Sequence, residues 1–208
     1  MINKIGKLIL TRHHESEWNK ASRWTGTHNA NLTPHGVLMS KKMGSLIKDT
    51  EIDRAISSNL DRSFKTLKEM LENSGKPEIE IEQRAELRER DYGEYTGKNK
   101  WKMKDVLGEE RFNCVRRDWD CPVPNGETLK MVYGRVVPFY LESILPDILK
   151  EKNVLVVAHT NSLRALIKYI EKIPDGDIKD LEIPFGVVFF YDLDEDGFLK
   201  NKEIKKIE

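Results

Sequence analysis

The chain has 208 residues, with 35 Lys plus Arg against 35 Asp plus Glu and a formal net charge of zero. At roughly 150 residues per domain, this length fits one domain over 1–208 that needs neither disulfides nor a structural metal to fold. Zero net charge excludes a protein held mainly to nucleic acid or to an anionic membrane surface, and 38% hydrophobic residues spread along the chain exclude wholesale disorder.

No apolar stretch approaches the ~20 residues that a membrane span needs. The segment Met1 to Leu10 sets Lys4 and Lys7 around a short apolar run and does not read as a secretory leader. Cys114 and Cys121 form no CxxC. They read as inert thiols of a reducing, cytoplasmic compartment, with a disulfide between them disfavoured.

In chain order, Lys7 to Thr11 is a short apolar run that reads as a buried strand. Thr33 and Pro34 start a helix, as N-cap and first turn, which continues to about Lys48. Asp53 to Ser57 is a second strand. Phe64, Leu67, Met70 and Leu71 recur at helical spacing, which predicts a helix over Asp61 to Asn73. Glu78 to Glu82 alternates as a third strand, and Glu86 to Trp101 has no period and reads as loop. Leu129, Val132, Val136, Tyr140 and Ile144 predict one long amphipathic helix from Glu127 to Leu149. Asn153 to Ala158 is the clearest buried strand, Ser162 to Lys172 a helix, and Val187 to Leu193 and Phe198 to Ile204 two strands around an Asp-Gly turn. Strands alternating with helices predict an α/β fold, a three-layer sandwich on a mostly parallel sheet with the last hairpin as an antiparallel edge.

Two of these strands run straight into a histidine, at His13 and at His159. Open α/β sheets bind ligands at the carboxyl ends of their strands, so both histidines belong at such a site. A histidine attacks phosphorus only when neutral, and the cations Arg12 and Arg62 favour the neutral form of His13. Arg12, Arg62, His159 and the backbone at Thr25 and Gly26 are donors for a phosphoryl group in flight, and guanidinium offers phosphate a fixed fork. Glu89 is the candidate acid for the leaving oxygen. No metal is required, because arginines take its place.

Arg12-His13-His14-Glu15-Ser16 resembles the R-H-G-E-[ST] signature of the histidine phosphatase superfamily. Trp18-Asn19, Arg23-Trp24-Thr25-Gly26, Leu32 to Gly36, Ser58 to Arg62, Leu87 to Gly93, Gly126 to Leu129 and His159 to Arg164 follow in that family's order, over nearly the whole chain. Within the superfamily the sequence is most similar to the short-form, 2,3-bisphosphoglycerate-dependent phosphoglycerate mutases. The resemblance implies a phosphoglycerate mutase-like fold and interconversion of 3-phosphoglycerate and 2-phosphoglycerate through a phosphohistidine on His13, primed by 2,3-bisphosphoglycerate. It implies Arg12, Arg62, Glu89 and His159 as further catalytic residues. Asn19, Thr25, Gly26 and Asn161 become substrate contacts, with Tyr92, Lys100, Arg116 and Arg117 at the substrate's carboxylate and distal phosphate. The expected partner is a small phosphorylated substrate, and the chain acts as a monomer or homodimer. Two alternatives are a phosphomonoester phosphatase on the same fold and a degenerate or calcium-binding protein.

Two positions depart from the family pattern. His14 and Thr160 stand where glycine is usual, and are expected to lie side by side on the pocket floor. Asp192, Asp194, Asp196, Gly197 and Glu203 match a calcium-loop pattern, but the strand-like flank Val187 to Tyr191 favours a hairpin over the helices such a loop needs. Trp24 and Trp101 are assigned to packing.

Overall fold

A computed structural model describes residues 5–208, so Lys4, which entered the reading of the amino-terminal segment, lies outside the described residues. The elements run β1 (Lys7–Arg12), α1 (Glu17–Lys20), α2 (Pro34–Gly44), β2 (Arg54–Ser58), α3 (Asp61–Asn73), β3 (Ile81–Arg84), α4 (Lys100–Leu107), α5 (Glu109–Arg117), α6 (Leu129–Phe139), α7 (Leu145–Leu149), β4 (Val154–Ala158), α8 (Thr160–Ile170), β5 (Val187–Leu193) and β6 (Leu199–Lys206).

The six strands form one sheet in the order β3-β2-β4-β1-β5-β6. The first four are parallel, and β5 and β6 add the antiparallel edge. Successive residues of a strand face opposite sides, and the apolar runs use both. Leu8, Leu10, Val154, Val156, Phe189 and Tyr191 pack one face against α6 and α8. Ile9, Leu155, Val157, Val188 and Phe190 pack the other against α2 and α3. A third cluster, around Trp24, Tyr92, Met103, Phe112 and Val115, joins α4 and α5 to the loops beside the carboxyl ends of the parallel strands.

Several boundaries differ from the sequence reading. The α3 helix matches, and Thr33 caps α2 by accepting the Gly36 N–H at 2.9 Å. The third strand begins at Ile81 because pairing with Ala55 of β2, not its own alternation, sets its start. The long helix is present from Leu129 to Leu149, but its turns widen to the π type over Tyr140–Ile144, between α6 and α7. Pro138 and Pro146 flank that segment. Neither has an N–H for the helical ladder, and a π-type turn relieves such an interruption. The helices α4 and α5 were not expected. The Asn99 side chain caps α4, accepting from Trp101 N at 3.0 Å and Lys102 N at 3.2 Å, and Gly108, at φ 77°, turns the chain into α5.

The cysteines overturn the expectation of inert thiols. Cys114 and Cys121 are joined in a disulfide with their Cα atoms 5.7 Å apart. After α5 the chain doubles back, which places Cys121 against the last turn of that helix. The calcium-loop pattern is a hairpin, as expected: the Asp194 carboxylate accepts the N–H groups of Asp196 and Phe198, and strands flank it on both sides.

Candidate active site

The strand order assembles the centre of the site. The neighbour β2 ends in Ser58, and β4 and β1 run directly into His159 and His13; the ladder extends one residue past β1, with His13 N–H bonded to Ala158 O at 3.0 Å. The two imidazole rings consequently lie 4.8 Å apart between centroids.

Hydrogen bonds define the tautomer of His13. Its Nδ1 lies 2.7 Å from the His14 carbonyl oxygen, an acceptor only, so Nδ1 carries the proton. Its Nε2 accepts from Arg62 Nε at 3.3 Å and holds the lone pair. Burial first, then the positive charges of Arg62 and Arg12, hold His13 well below the ordinary imidazole range. His13 is therefore neutral at pH 7, with Nε2 as its nucleophilic atom.

His159 is set the opposite way. Ser58 Oγ accepts the Leu60 N–H at 3.2 Å and lies 2.7 Å from His159 Nε2, and with no other acceptor in reach among the described residues its hydroxyl donates to that nitrogen. The proton then resides on His159 Nδ1, which is buried without a partner. Burial, with Arg62 and His13 next, lowers this imidazole as well.

One cavity carries the rest. It is lined by Arg12, His13, Asn19, Trp24, Thr25, Gly26, Arg62, Glu89, Tyr92, Lys100, Arg116, Arg117, Thr160, Asn161, Arg164, Glu182 and Ile183. Every site residue expected from the sequence is in this lining except His159, whose ring lies beside that of His13, 4.8 Å away between centroids. The Arg62 guanidinium is anchored by the carbonyls of Gly26 at 2.8 Å and His28 at 2.7 Å. Arg12 lies 3.8 Å over the Phe185 ring. Burial lowers both guanidinium groups to about 10, which leaves them charged at neutral pH. Arg12 Nε, Trp24 Nε1 and Thr25 Oγ1 are buried with no partner. Buried polar groups are almost always paired, so these orphans, together with His159 Nδ1, mark a place built for an anionic ligand.

Glu89 faces this cationic set. Its Oε1 accepts from Arg90 N at 2.8 Å and from Asn161 N and Nδ2 at 3.1 and 3.0 Å, at the start of α8. Asn161 Nδ2 also reaches Tyr92 Oη at 2.9 Å. Lys100, Arg116 and Arg117 form a second cationic group on the wall made by α4 and α5.

His14 and Thr160 do not share the pocket floor. Thr160 lines the cavity, whereas the His14 ring stacks on Phe185 at 5.0 Å and lies 5.6 Å from His35, outside the lining. Neither residue has a positive φ, so a side chain at either position carries no backbone strain. Trp24, assigned to packing, is both buried and part of the lining. Three residues of the site were missed. Arg164 was legible in its segment, and it donates to the carbonyls of Arg117 and Ile178 at 2.6 and 2.7 Å. Glu182, paired with Arg117 at 2.5 Å, and Ile183 carry no sequence signal of their own.

The profile of the histidine phosphatase superfamily, branch 1, matches residues 8–202. A protein of Parvibaculum lavamentivorans named 2,3-bisphosphoglycerate-dependent phosphoglycerate mutase is 39% identical over 199 residues, 95% of this chain and 95% of its own. A phosphoglycerate mutase of Schizosaccharomyces pombe is 41% identical over 199 residues, 95% of this chain and 94% of its own. Among solved structures, Bacillus stearothermophilus YhfR superposes with a TM-score of 0.82 at 24% identity, covering 93% of this chain and 94% of that one. Paired histidines at adjacent strand ends and relatives this similar along almost their whole length lead to one assignment: the chain belongs to the histidine phosphatase superfamily, in the family of the phosphoglycerate mutases.

Proposed function

We propose that the protein interconverts 3-phosphoglycerate and 2-phosphoglycerate through a phosphohistidine on His13, as one catalytic unit over residues 1–208. The observation that carries this reading is the joining, in one cavity, of a neutral His13 flanked by Arg12 and Arg62 with a second cationic group at Lys100, Arg116 and Arg117. The first group suits a phosphoryl group in transfer. The second suits the carboxylate or second phosphate of a small, multiply anionic substrate. The names of the relatives point to the same reaction.

The steps follow from the geometry. His13 Nε2 attacks phosphorus, and the bond from phosphorus to the ester oxygen breaks. Arg12, Arg62 and His159 Nδ1 balance the charge on the transferring oxygens, and Thr25 and Gly26 line the same end of the cavity. Glu89 gives its proton to the departing oxygen. In the return step the Glu89 carboxylate takes the proton of the hydroxyl that attacks the phosphohistidine. Asn161, itself bonded to Tyr92, holds Glu89 in place, and Asn19 completes the lining on the substrate side. Priming requires a phosphoryl donor, and the cationic cavity with its unpartnered Arg12 Nε and Thr25 Oγ1 fits 2,3-bisphosphoglycerate. When bound, that compound supplies the phosphoryl group that charges His13.

Nucleic acid and membrane have no part in this reading, and no described helix is long and apolar enough to cross a membrane. We place the protein in the cytoplasm, acting on its small substrates as a monomer or homodimer. The test is conversion of 3-phosphoglycerate to 2-phosphoglycerate, followed through added enolase, with and without 2,3-bisphosphoglycerate. Conversion stimulated by the bisphosphate and abolished in His13→Ala is the expected result. Release of inorganic phosphate without conversion would move the protein to the phosphatases instead.

A further inference from the structure

Outside the lining of the cavity, one part-buried ion pair converges on the segment that carries Glu89. Arg135 lies in the middle of α6, and its side chain is only 16% exposed. Its Nη1 donates to Glu86 O at 2.6 Å and to Arg88 O at 3.0 Å, and its Nη2 donates to Glu89 O at 3.2 Å. The same guanidinium meets both oxygens of Glu127, each at 2.9 Å. Glu127 Oε2 in turn accepts the Asp91 N–H at 2.9 Å, and Glu127 N–H donates back to Asp91 O at 2.9 Å. The backbone is thus gripped at Arg88 and Glu89 by the arginine and at Asp91 by the glutamate. Just beyond, the space around Gly93, at φ 47°, is closed: a Cβ there would meet Pro124 O at 2.1 Å.

A loop without helix or strand has no ladder of its own, and its carbonyls must find donors elsewhere. One planar guanidinium with five donors can bridge three carbonyls and a carboxylate in a fixed geometry, which a lysine cannot do. This arrangement does more than satisfy polar groups, because it sets where the Glu89 carboxyl stands relative to His13.

We propose that the Arg135–Glu127 pair is the positioning device for the general acid: it touches no substrate and acts by holding the Glu89 backbone so that the carboxyl meets the leaving oxygen. The proposal rests on the functional reading given above. In the step concerned, the His13 Nε2–P bond forms, the P–O bond breaks, and the Glu89 proton goes to the leaving oxygen. A leaving group that departs as a stable anion does not need that proton, so only basic leaving groups depend on the clamp.

The experiment is single-turnover phosphorylation of His13, read by rapid quench, from 2,3-bisphosphoglycerate, whose leaving group is a phosphoglycerate alkoxide, and from acetyl phosphate, whose leaving group is acetate. Arg135→Lys and the milder Glu127→Gln are compared with wild type. General acid catalysis is typically worth about 10²–10⁴-fold, so a misplaced acid should slow the bisphosphoglycerate reaction by about 30-fold or more and the acetyl phosphate reaction by less than about threefold. Equal losses with both donors, or no loss with either, would overturn the proposal, because loose packing of the loop would impair both reactions alike. Should one variant fail to fold, the rate ratio in the other decides. If wild type takes no phosphate from 2,3-bisphosphoglycerate, the functional reading falls. The clamp is then judged by the same ratio between an alkyl and an aryl phosphomonoester.

Discussion

Burial, together with the positive charges of Arg12 and Arg116, brings the Lys100 ammonium down to about 8. The guanidinium groups around it stay charged far above that pH, so Lys100 is the cavity cation that ordinary buffers can switch. Below pH 8 it is protonated and attracts an anionic substrate. As pH rises through 8 the charge is lost and the attraction with it. The KM for 3-phosphoglycerate is therefore expected to rise several-fold between pH 7 and 9 in wild type. It should stay nearly flat in Lys100→Arg, because arginine keeps its charge throughout. Parallel KM profiles for the two proteins would show that Lys100 does not contact the substrate's anionic end. At this scale the sequence carried most of the site, since His13, Arg12 and the cations sit in short motifs whose residue types state their chemistry. Arg135 and Glu182 were not legible. Each acts through a partner distant in the chain, and a lone arginine on a helix or glutamate in a loop resembles any solvated charge.

Among the elements, α3 was readable because its apolar residues recur at three and four along a well-populated helical face, and the parallel strands because both of their faces are buried. The helices α4 and α5 were hidden for the opposite reason. Their apolar side chains serve a small side cluster, and Trp101 and Val106 stay exposed, so no stripe forms. The disulfide was hidden with them, because only the fold of α5 brings Cys121 back to Cys114. This bond closes the segment that holds Arg116 and Arg117, whose carbonyls Arg164 also grips. Closing so short a loop is worth about 2.5 kcal/mol at most by chain entropy. Reduction should lower Tm by several degrees while unfolding stays cooperative. It should also raise KM for the substrate, since the two arginines lose one of their restraints. The paired Cys114→Ser, Cys121→Ser variant should match the reduced protein and no longer respond to dithiothreitol. An unchanged KM in both would mean that Arg164 and Glu182 fix the arginines without the disulfide.

For the molecule as a whole, the site imposes a dependence of stability on pH. His13, His14 and His159 are all buried, and all three are lowered from the ordinary value of 6.5, chiefly by burial. His14, which feels His35 and Arg12 against Glu15, falls to about 4. Its Nδ1 accepts the Glu15 N–H at 2.8 Å and would lose that bond on protonation. The unfolded chain takes up protons at these imidazoles as pH falls through 6.5, and the folded chain does not. Their neutral state thus supports folding fully above pH 6.5, and that support is withdrawn as the solution is acidified toward their folded values. Each such group steepens the loss by ~1.4 kcal/mol per pH unit within its window. The Glu127 carboxylate lies lower: despite its partial burial it is held below its usual range by Arg135 and the Asp91 N–H, so its own contribution is lost only in stronger acid. Between pH 6.5 and 5 the slope therefore belongs to the histidines. His14→Asn offers an oxygen near the former Nδ1 and lies outside the cavity lining. Denaturant unfolding should show that it flattens the acid slope by ~1.4 kcal/mol per pH unit, with stability at pH 8 and mutase activity close to wild type. Equal slopes would mean that His14 protonates in the folded protein as readily as in the unfolded chain. In that case the stacking on Phe185 would not be enough to keep it neutral.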